Sequence, residues 1–431
     1  MSSPRPGEGG PPRENLAAYR ERVEDLRAVL VHHGSLGLLL IDTSPLAQIE
    51  HQYGSTAFAK VMGTARDLVL ELRGHEVRNE DLICLNDHGG DAFLVFFSPK
   101  RREGPLRIVD LKAAAERVES HLNRKLLRLA SPYLGTLRRV TVGFALAFYN
   151  PLVMPERLVS RLVEEAWSCV HVLRAQRDLQ NRCDLQEVLL ADQLTTVFQP
   201  IVELRRRRVL GYEALSRGPA GSVYQMPVRL FEMAEEADLV FELDRKCRRR
   251  ALAAASSIPA GAKLFVNVFP SAMYDPEFQG APLVALAEAH GLSPDRVVLE
   301  ITEKAAIENY EVFSEALADL TQLGFSIAVD DVGAGYSGLE KIAHLNPRYL
   351  KFDRELIRNI DSSYIRREMT RALKAFADRI GSTIIAEGIE RDRELQALLE
   401  LGIEYGQGFL LGRPAGAFLP PTLASAVAAA G

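Results

Sequence analysis

The chain has 431 residues, a formal net charge of −5, 47% hydrophobic residues and 25% charged residues, a globular composition too long for one ordinary core. The acidic balance argues against a protein that binds nucleic acid polymers over its whole surface, because such proteins are normally basic. The four cysteines show no C-x-x-C spacing, so we expect a reduced, cytoplasmic protein. We expect no membrane segment and no signal peptide, since no apolar run has the required length.

The first half of the chain alternates helical and strand-like segments after a short tail. Residues 1–13 are too rich in proline and glycine to pack a core, and we predict that they are disordered. The segments that follow are a leading helix, a buried strand, a second helix, a hairpin, a third helix and a last strand, at residues 14–32, 36–42, 56–73, 81–97, 111–129 and 138–148. They predict an α/β domain over residues 14–180.

A long helical stretch, residues 156–193, joins the two halves of the chain, and we interpret residues 181–194 as a helical connector. Residues 195–431 then contain eight strand-like runs: TVFQPIVE, VLGYEALS, KLFVNVF, RVVLEIT, FSIAVDD, YLKFD, STIIAEGI and YGQGFLL. Strands that alternate with helices in this number predict a (β/α)₈, TIM-type barrel. Only residues 204–208 separate the first two runs, too few for a parallel crossover, so we expect an irregular barrel with an antiparallel first strand.

Polar residues stand near the carboxyl ends of these runs, the end where barrel enzymes carry their active sites. They are Glu213, Asn267, Glu300, Asp330, Asp331, Lys351, Glu387 and Gln407. A single acid at a strand end is usually a solvated rim residue or a helix cap. Carboxylates from successive strands would instead converge on one spot and repel each other, which divalent cations would relieve. Oxygen ligands favour Mg²⁺, Mn²⁺ or Ca²⁺ over zinc.

Three further features bear on this predicted site. Adjacent Asp330 and Asp331 fit two ions roughly 3.5–4 Å apart, the arrangement that catalyses phosphoester hydrolysis. Lys351 lies between apolar neighbours, which favours a buried position over a surface one. The glycines of DDVGAGYSG are either ordinary turn residues or part of a mobile catalytic loop, and Arg217 is either a surface residue or a phosphate ligand.

Residues 195–415 resemble the EAL family of cyclic-di-GMP phosphodiesterases. The name motif stands as Glu213-Ala214-Leu215, and six further motifs follow the family's order around it: FQPIV, FVN, LEITE, DDVGAGYSGL, LKFD with AEGIE, and GQGF. The family's loop usually reads DDFGTGYSSL, so Val332, Ala334 and Gly338 are departures here. The tryptophan that usually follows Arg217 is replaced by Gly218-Pro219.

The resemblance implies the fold of this family, hydrolysis of cyclic di-GMP to linear pGpG, and two Mg²⁺ or Mn²⁺ ions. It places one ion on Glu213, Asn267, Glu300 and Asp330, and shares Asp330 with a second ion held by Asp331 and Glu387. Among these, Glu213 counts as a catalytic ligand, and Glu387, with Lys351, would activate the attacking water.

The resemblance also implies roles around the ions. Gln199, Arg217 and Gln407 match positions that contact the dinucleotide, and Glu303 in LEITE matches the glutamate that anchors the glycine-rich loop. The alternative function is that of a non-catalytic cyclic-di-GMP receptor. Receptors of this fold typically lose some metal ligands, whereas this sequence retains the full set.

The first half resembles a degenerate GGDEF domain, the fold of diguanylate cyclases, over residues 33–180. Its motif stands as Gly89-Gly90-Asp91-Ala92-Phe93, so a metal-binding glutamate is replaced by Ala92. Upstream, Asp42 remains, but other polar positions are replaced by Ser44, Leu46, Ala47, Glu50, His51 and Ala59. An R-x-x-D sequence at Arg78 and Asp81 is similar to the family's product-inhibition site.

These losses indicate a domain without cyclase activity, which leaves a regulatory role, a role in forming a homodimer, or a purely structural remnant. A signalling partner could act through this domain. The apolar spacing along the helix near residues 160–190 is compatible with pairing to a second chain and equally with covering its own domain.

Overall fold

The computed structural model describes residues 16–47, 49–50, 54–86, 92–98, 106–130, 139–308, 310–333 and 338–421. The predicted disordered tail, His51, Gly89, Gly90, Asp91 and Ala334 lie outside the described residues. The chain divides into two compact units, Met1–Gln180 and Asn181–Gly431. None of the helices in the described ranges is both long and apolar enough to cross a membrane.

The first unit is a four-stranded antiparallel sheet with helices on both faces. Its strands are β1 (Ser35–Asp42), β2 (Leu82–Leu85), β3 (Ala92–Phe97) and β4 (Thr141–Phe148), in the order β2-β3-β1-β4. Its helices are α1 (Val23–His33), α2 (Ser55–Leu70), α3 (Ile108–Ala130) and the start of α4 (Pro155–Leu190). The order β1-α2-β2-β3-α3-β4 is a β-α-β-β-α-β arrangement of the ferredoxin-like type.

Strand β1 explains why this unit needs two helical layers. All eight of its residues are buried, and successive side chains of a strand point to opposite faces. Leu39 and Ile41 pack into the core beneath α2 and α3, whereas Leu38 and Leu40 pack into the core beneath α1 and α4. A continuous apolar run therefore predicts a central strand covered on both sides, as the structure has it.

Helix α4 is one 36-residue element that passes the boundary between the two units. Leu162 and Val170 belong to the core of the first unit, and Leu185 and Val188 to a core of the second. The segment interpreted as a connector is thus, up to Leu190, the continuation of this helix.

The second unit is a closed eight-stranded barrel with the order β10-β11-β12-β5-β6-β7-β8-β9. The strands are β5 (Thr195–Glu203), β6 (Arg208–Arg217), β7 (Lys263–Asn267), β8 (Val297–Thr302), β9 (Ser326–Val332), β10 (Tyr349–Phe352), β11 (Thr383–Ala386) and β12 (Tyr405–Gly406). The helices are α5 (Pro227–Ala237), α6 (Val240–Ala254), α7 (Gly280–Ala289), α8 (Glu303–Glu308), α9 (Tyr310–Gln322), α10 (Leu339–His344), α11 (Arg354–Ile357), α12 (Tyr364–Ile380) and α13 (Asp392–Glu400).

Strand β5 runs antiparallel to both of its neighbours, β6 and β12, while the other pairs of the barrel are parallel. The physical reason is the connection of four residues between β5 and β6, which suits a hairpin and cannot make a crossover.

Strand β12 is shorter than the sequence run YGQGFLL suggests, because only Tyr405 and Gly406 are paired. At Gly408 the backbone passes so close to Ile389 that a Cβ would collide with it. The amides of Leu411 and Gly412 then donate to the carbonyl of Gly408, which closes a turn. Close backbone approach, which only glycine permits, ends the strand after two residues.

Candidate metal centre

The candidate site sits one layer above the packed interior of the barrel. Six buried interior residues come from six different strands: Ile201, Phe265, Val298, Ala328, Tyr349 and Ile385. The polar residues of the site lie two residues away from these, toward the same end of the barrel: Gln199, Asn267, Glu300, Asp330, Lys351 and Glu387. Because side chains alternate along a strand, residues two apart face the same side. The apolar layer therefore forms the floor on which the polar layer rests.

Asp330 and Asp331 both take part in the site because β9 carries a bulge there. Between Leu350 and Phe352 of β10, the paired residues on β9 advance from Val329 to Val332, which leaves one extra residue on β9. Asp331 has a φ of 59°, in the left-handed region. Aspartate tolerates this conformation better than most residues. The bulge re-aims the second carboxylate, which regular alternation would have turned away.

The carboxylates form two groups that share Asp330. Glu213, Glu300 and Asp330 can each offer an oxygen so that the three atoms lie within 4.8 Å of one another, and the same holds for Asp330, Asp331 and Glu387. Two oxygen clusters that share an aspartate would suit a pair of divalent ions.

Lys351 lies at the centre of the cluster and is fully buried. Its Nζ is 2.8 Å from Glu300 Oε1, 2.8 Å from Glu387 Oε1, 3.0 Å from Asp330 Oδ2 and 3.6 Å from Glu213 Oε1. Lys351 is therefore not the surface residue that a lysine ordinarily is. A single ammonium links carboxylates from four different strands.

Burial and the crowding of charge shift the pKa of several ionisable groups in the cluster. Burial, with repulsion from neighbouring carboxylates, raises the pKa of Glu300 and that of Glu387 well above their usual range. Burial and the charge of Asp330 raise the pKa of Asp331 to about 6. Burial lowers the pKa of Lys351, but attraction by the surrounding carboxylates outweighs the effect of burial and raises this pKa. An unbalanced buried negative charge is the common cause.

The residues present fit divalent cations. Glu300 Oε2 is buried and accepts no hydrogen bond from the described residues, and such an atom is costly unless another ligand satisfies it. Five carboxylates and one ammonium leave four negative charges, which two divalent ions would balance. All the donors in the cluster are oxygens, with no histidine or cysteine among the described groups, which favours a hard cation.

Gln199 and Gln407 lie beside Glu213 and hold its carboxylate. Gln407 Nε2 donates to Glu213 Oε2 at 2.6 Å and to Gln199 Oε1 at 2.9 Å. Gln199 Nε2 donates to the Gly412 carbonyl, and Asn267 Nδ2 donates to Glu213 Oε1 at 3.2 Å. Both glutamines are buried. The structure thus joins the two predicted substrate contacts to a metal-site carboxylate.

Arg217 and Glu303 lie at the edge of the cluster. Arg217 ends β6 and donates to the Ser216 carbonyl, and burial lowers its pKa although the charge of Glu213 opposes that shift. Glu303 is buried at the start of α8, and its Oε2 accepts the amide of Gly333 at 3.1 Å. Gly333 has a φ of 100°. Glu303 therefore fixes the backbone at Gly333, and its role as the anchor of the glycine-rich loop stays a prediction, because residues 334–337 lie outside the described residues.

A pair of substitutions tests this anchor. Glu303→Ala removes the acceptor of the Gly333 amide, and we expect a loss of activity of roughly 10- to 100-fold, the size of effect that misplaced supporting groups produce. Glu303→Gln keeps an oxygen acceptor and is expected to lose much less. Steady-state hydrolysis of both variants is the measurement, and equal activity in Glu303→Ala and the wild type would show that the anchor is not needed.

One feature of the site has no clear signal in the sequence. A cavity of about 280 Å³ opens beside Asn267 and is lined by Leu215, Phe231, Phe269 and Arg248, among others. Arg248 is buried between Asp244 and Asp275, at 2.8 and 3.0 Å. The rings of Phe231 and Phe269 stack at 4.8 Å. Residues from four segments form this wall, so no local motif reveals it; only the i,i+4 spacing of Asp244 and Arg248 is a hint.

A family profile described as "EAL domain" matches residues 182–414, more than half of the chain. The chain belongs to the EAL-domain family. The match covers the barrel and the end of α4, and it includes all the residues of the candidate metal centre. The first unit lies entirely outside it.

Several relatives share this region. The chain is 32% identical over 249 residues to the cyclic di-GMP phosphodiesterase NbdA of Pseudomonas aeruginosa, covering 56% of this chain and 32% of that protein. It is 28% identical over 238 residues to the probable cyclic di-GMP phosphodiesterase PdeN of Escherichia coli, covering 54% and 45%. The chain therefore spans less than half the length of these relatives.

Solved structures support the fold of the barrel. The PaMucR phosphodiesterase in complex with c-di-GMP has a TM-score of 0.50 and 27% identity, covering 55% of this chain and 97% of that one. The FimX EAL domain of Xanthomonas citri, in complex with c-diGMP, has a TM-score of 0.52 at 22% identity, covering 58% and 98%. At that identity, the second likeness is evidence of fold alone.

Proposed function

We propose that the barrel hydrolyses cyclic di-GMP to linear pGpG with the help of two divalent cations. The observation that carries the proposal is the complete set of five carboxylates around Lys351, in two groups that share Asp330. Membership of the EAL family and the names of the relatives NbdA and PdeN support the choice of substrate.

In this proposal the site binds Mg²⁺ or Mn²⁺ through oxygen ligands. One ion would be held by Glu213, Asn267, Glu300 and Asp330, and the other by Asp330, Asp331 and Glu387. Bound ions would supply positive charge that stabilises the attacking and leaving oxygens of the phosphodiester.

The chain's own residues would handle the proton and the orientation. Glu387 is the general base that takes a proton from water as the water oxygen bonds to phosphorus. The bond between phosphorus and the 3′-oxygen breaks, and that oxygen takes a proton from solvent. Lys351, 2.8 Å from Glu387 Oε1, would hold this carboxylate in place.

Recognition of the dinucleotide would fall first to Arg217, whose guanidinium can pair with a phosphate. Gln407 already donates a hydrogen bond to Glu213, and Gln199 accepts a second hydrogen bond from Gln407. They would contact the dinucleotide only after exchanging these partners, and meanwhile they orient a metal ligand.

The alternative function, a receptor that binds the dinucleotide without cleaving it, has less support. A receptor gains nothing from buried carboxylates whose repulsion raises their pKa values, and all the expected ligands are present. Purified protein incubated with cyclic di-GMP and Mg²⁺, Mn²⁺ or Ca²⁺ separates the two. Chromatography should show pGpG with Mg²⁺ or Mn²⁺ and none in Glu213→Ala; binding without pGpG would establish the receptor.

The pH dependence of metal binding offers an independent test. Protons compete with cations for carboxylates whose pKa is raised, and the pKa of Asp331 is about 6. We expect Mg²⁺ or Mn²⁺ to raise the melting temperature at pH 7 to 8. At a hundredfold excess over Kd, the bound ion adds about 2.7 kcal/mol to the free energy of unfolding. The increase should fade as the pH drops below about 6. A constant increase down to pH 5 would show that these carboxylates do not bind the ion.

For the first unit, we propose a cyclase-like domain that has lost catalysis and serves regulation. Its β-α-β-β-α-β arrangement supports the likeness. Asp42, the retained acidic residue, is fully buried and lies 2.5 Å from Arg174 Nη2, so its charge is neutralised within the domain. Its neighbour across the sheet is Ala92, the position of the missing glutamate. No described group therefore replaces the lost metal ligand beside Asp42.

The R-x-x-D pair is also engaged internally. Arg78 donates to both carboxylate oxygens of Asp81 and to the Ser98 carbonyl, and Asp81 is buried. An arginine with these partners is not available to a nucleotide, so product inhibition at this position has no support in the geometry.

We further propose that the chain forms a homodimer through α4. Val172 and Leu179 are 55% and 63% exposed and lie seven residues apart, on the same face of the helix. Val172→Glu with Leu179→Glu is expected to convert a dimer into a monomer in analytical ultracentrifugation. The matched control, Glu164→Gln with Asp178→Asn, removes two charges from exposed positions of the same helix and should leave the dimer intact. A wild-type monomer would refute the proposal.

A further inference from the structure

The end of the barrel opposite the candidate metal centre carries a concentrated positive charge. Four consecutive arginines, Arg205 to Arg208, occupy the turn between β5 and β6. Because β5 runs antiparallel, this turn lies where the other strands begin, beside Tyr405 and the start of β7. The side chains of Arg206 and Arg208 are 70% and 71% exposed.

The neighbouring loops add to this charge instead of cancelling it. We define the basic end by the residues that enter the parallel strands together with the arginine turn: 203–208, 258–263, 291–297, 323–326, 345–349, 381–383 and 401–405. It holds seven basic residues, the four arginines with Lys263, Arg296 and Arg348, against three acidic ones, Glu203, Asp295 and Glu404. The basic end thus has an excess of four positive charges in a chain whose net charge is −5.

Contacts within the basic end show how little of its charge is paired. Glu203 alone serves both Arg206 and Arg208, with distances of 3.2 and 3.3 Å. Burial lowers the pKa of Lys263; the charge of Asp295 opposes this shift, and the nearby positive charges of Arg348 and Arg296 add to it. Arg207 has a φ of 55°, a conformation that glycine adopts without strain. Positive charge is present here despite like-charge crowding and an unfavourable backbone conformation.

The surface lacks the features that two other kinds of partner require. Protein interfaces centre on buried apolar or aromatic side chains, but in the loops of the basic end, all of which are described, Leu323 is the only large apolar residue that is exposed. Single-stranded nucleic acids stack their bases on exposed aromatic rings, whereas the rings of the basic end are buried at Phe325 and Tyr349 and partly buried at Tyr405. What remains is an array of guanidinium groups, which pair with phosphates.

We propose that the basic end docks the protein on a bilayer that contains anionic phospholipids. A row of exposed arginines at one end of a barrel matches a plane of phosphate headgroups, and each such residue near the surface contributes to binding. Docking there leaves the carboxyl ends of the strands, with the candidate metal centre, facing away from the membrane and open to a dissolved substrate.

The experiment is co-sedimentation of the full-length protein with vesicles. The vesicles contain phosphatidylcholine alone or with about a third phosphatidylglycerol, at low salt and at about 0.15 M salt, where surface charges are partly screened. The test variant is Arg205→Gln with Arg206→Gln and Arg208→Gln. The control removes three exposed arginines from other surfaces, Arg117→Gln with Arg249→Gln and Arg371→Gln, whose side chains are 56%, 53% and 59% exposed.

We expect the wild type and the control to bind the anionic vesicles only, and the test variant to bind on the order of 100-fold more weakly. Hydrolysis should be unchanged in the test variant, which also verifies that it is folded. Equal binding by test and control variants would overturn the proposal, as would failure of the wild type to bind. Arginine-dependent retention on RNA without vesicle binding would overturn it in favour of a polynucleotide partner.

Discussion

Glu387→Gln is expected to reduce hydrolysis of cyclic di-GMP by roughly 100- to 10,000-fold, the range by which a positioned general base contributes to catalysis. The substitution keeps the size of the side chain but removes its negative charge and its ability to accept a proton. Glu387 also belongs to the second carboxylate group with Asp330 and Asp331, so binding of one ion should weaken as well.

A matched control lies three residues further along the chain. Glu390 is partly exposed and pairs with Arg354 at 3.0 Å, outside the cluster. Glu390→Gln removes the same charge from the same loop and should retain nearly full activity. The readouts are kcat with saturating Mn²⁺ and the melting temperature, which should change little in either variant without metal. If Glu387→Gln remained fully active, Glu387 would be neither the base nor an essential ligand.

Lys351→Met is expected to lower the free energy of unfolding of the metal-free protein by about 3–5 kcal/mol near neutral pH, the usual effect of removing one partner from a buried charge cluster. Methionine has a similar length and no charge. Four carboxylates would lose the ammonium that lies 2.8 to 3.6 Å from them. Denaturant unfolding in the presence of a chelator measures the effect.

The destabilisation should depend on pH in a defined direction. Carboxylates whose pKa is raised in the folded protein bind more protons when folded than when unfolded, so stability falls as the pH rises above the unfolded pKa. Loss of Lys351 raises the pKa of Glu300 and Glu387 further, and the cost of the substitution should be largest at pH 7 to 8 and shrink toward pH 5. Lys304→Met, at a lysine with a 57% exposed side chain, is the control. A pH-independent loss in Lys351→Met would indicate lost packing instead of lost charge compensation.

The carboxylate cluster shows why the candidate site was largely predictable from the sequence. Glu300, Asp330 and Glu387 each stand two residues beyond an interior apolar residue of their strand. The alternation of side chains along a strand makes such positions readable once the strands are recognised. Buried lysines are rare, yet the apolar neighbours of Lys351 pointed in the same direction.

Other contacts were not predictable because they join distant segments or depend on a single dihedral angle. The β5–β6 hairpin places Gln199 opposite Glu213, but only closure of the barrel between β12 and β5 brings Gln407, 208 residues from Gln199, to both of them. The left-handed conformation of Asp331 and the bulge around it leave no mark in a motif that reads simply as two aspartates. The pairing of Asp42 with Arg174 likewise joins β1 to α4 across a long separation.

The sequence by itself determined the barrel, its antiparallel first strand and the acidic residues at its strand ends, because alternation, connection length and residue type are local properties. Only the tertiary structure decided how these residues share their charges: Lys351 among four carboxylates, Glu213 hydrogen-bonded to Gln407 and Asn267, and a basic end made from seven separate segments. Electrostatic interactions act through space, and their balance depends on burial and on neighbours that the chain brings together only when it folds.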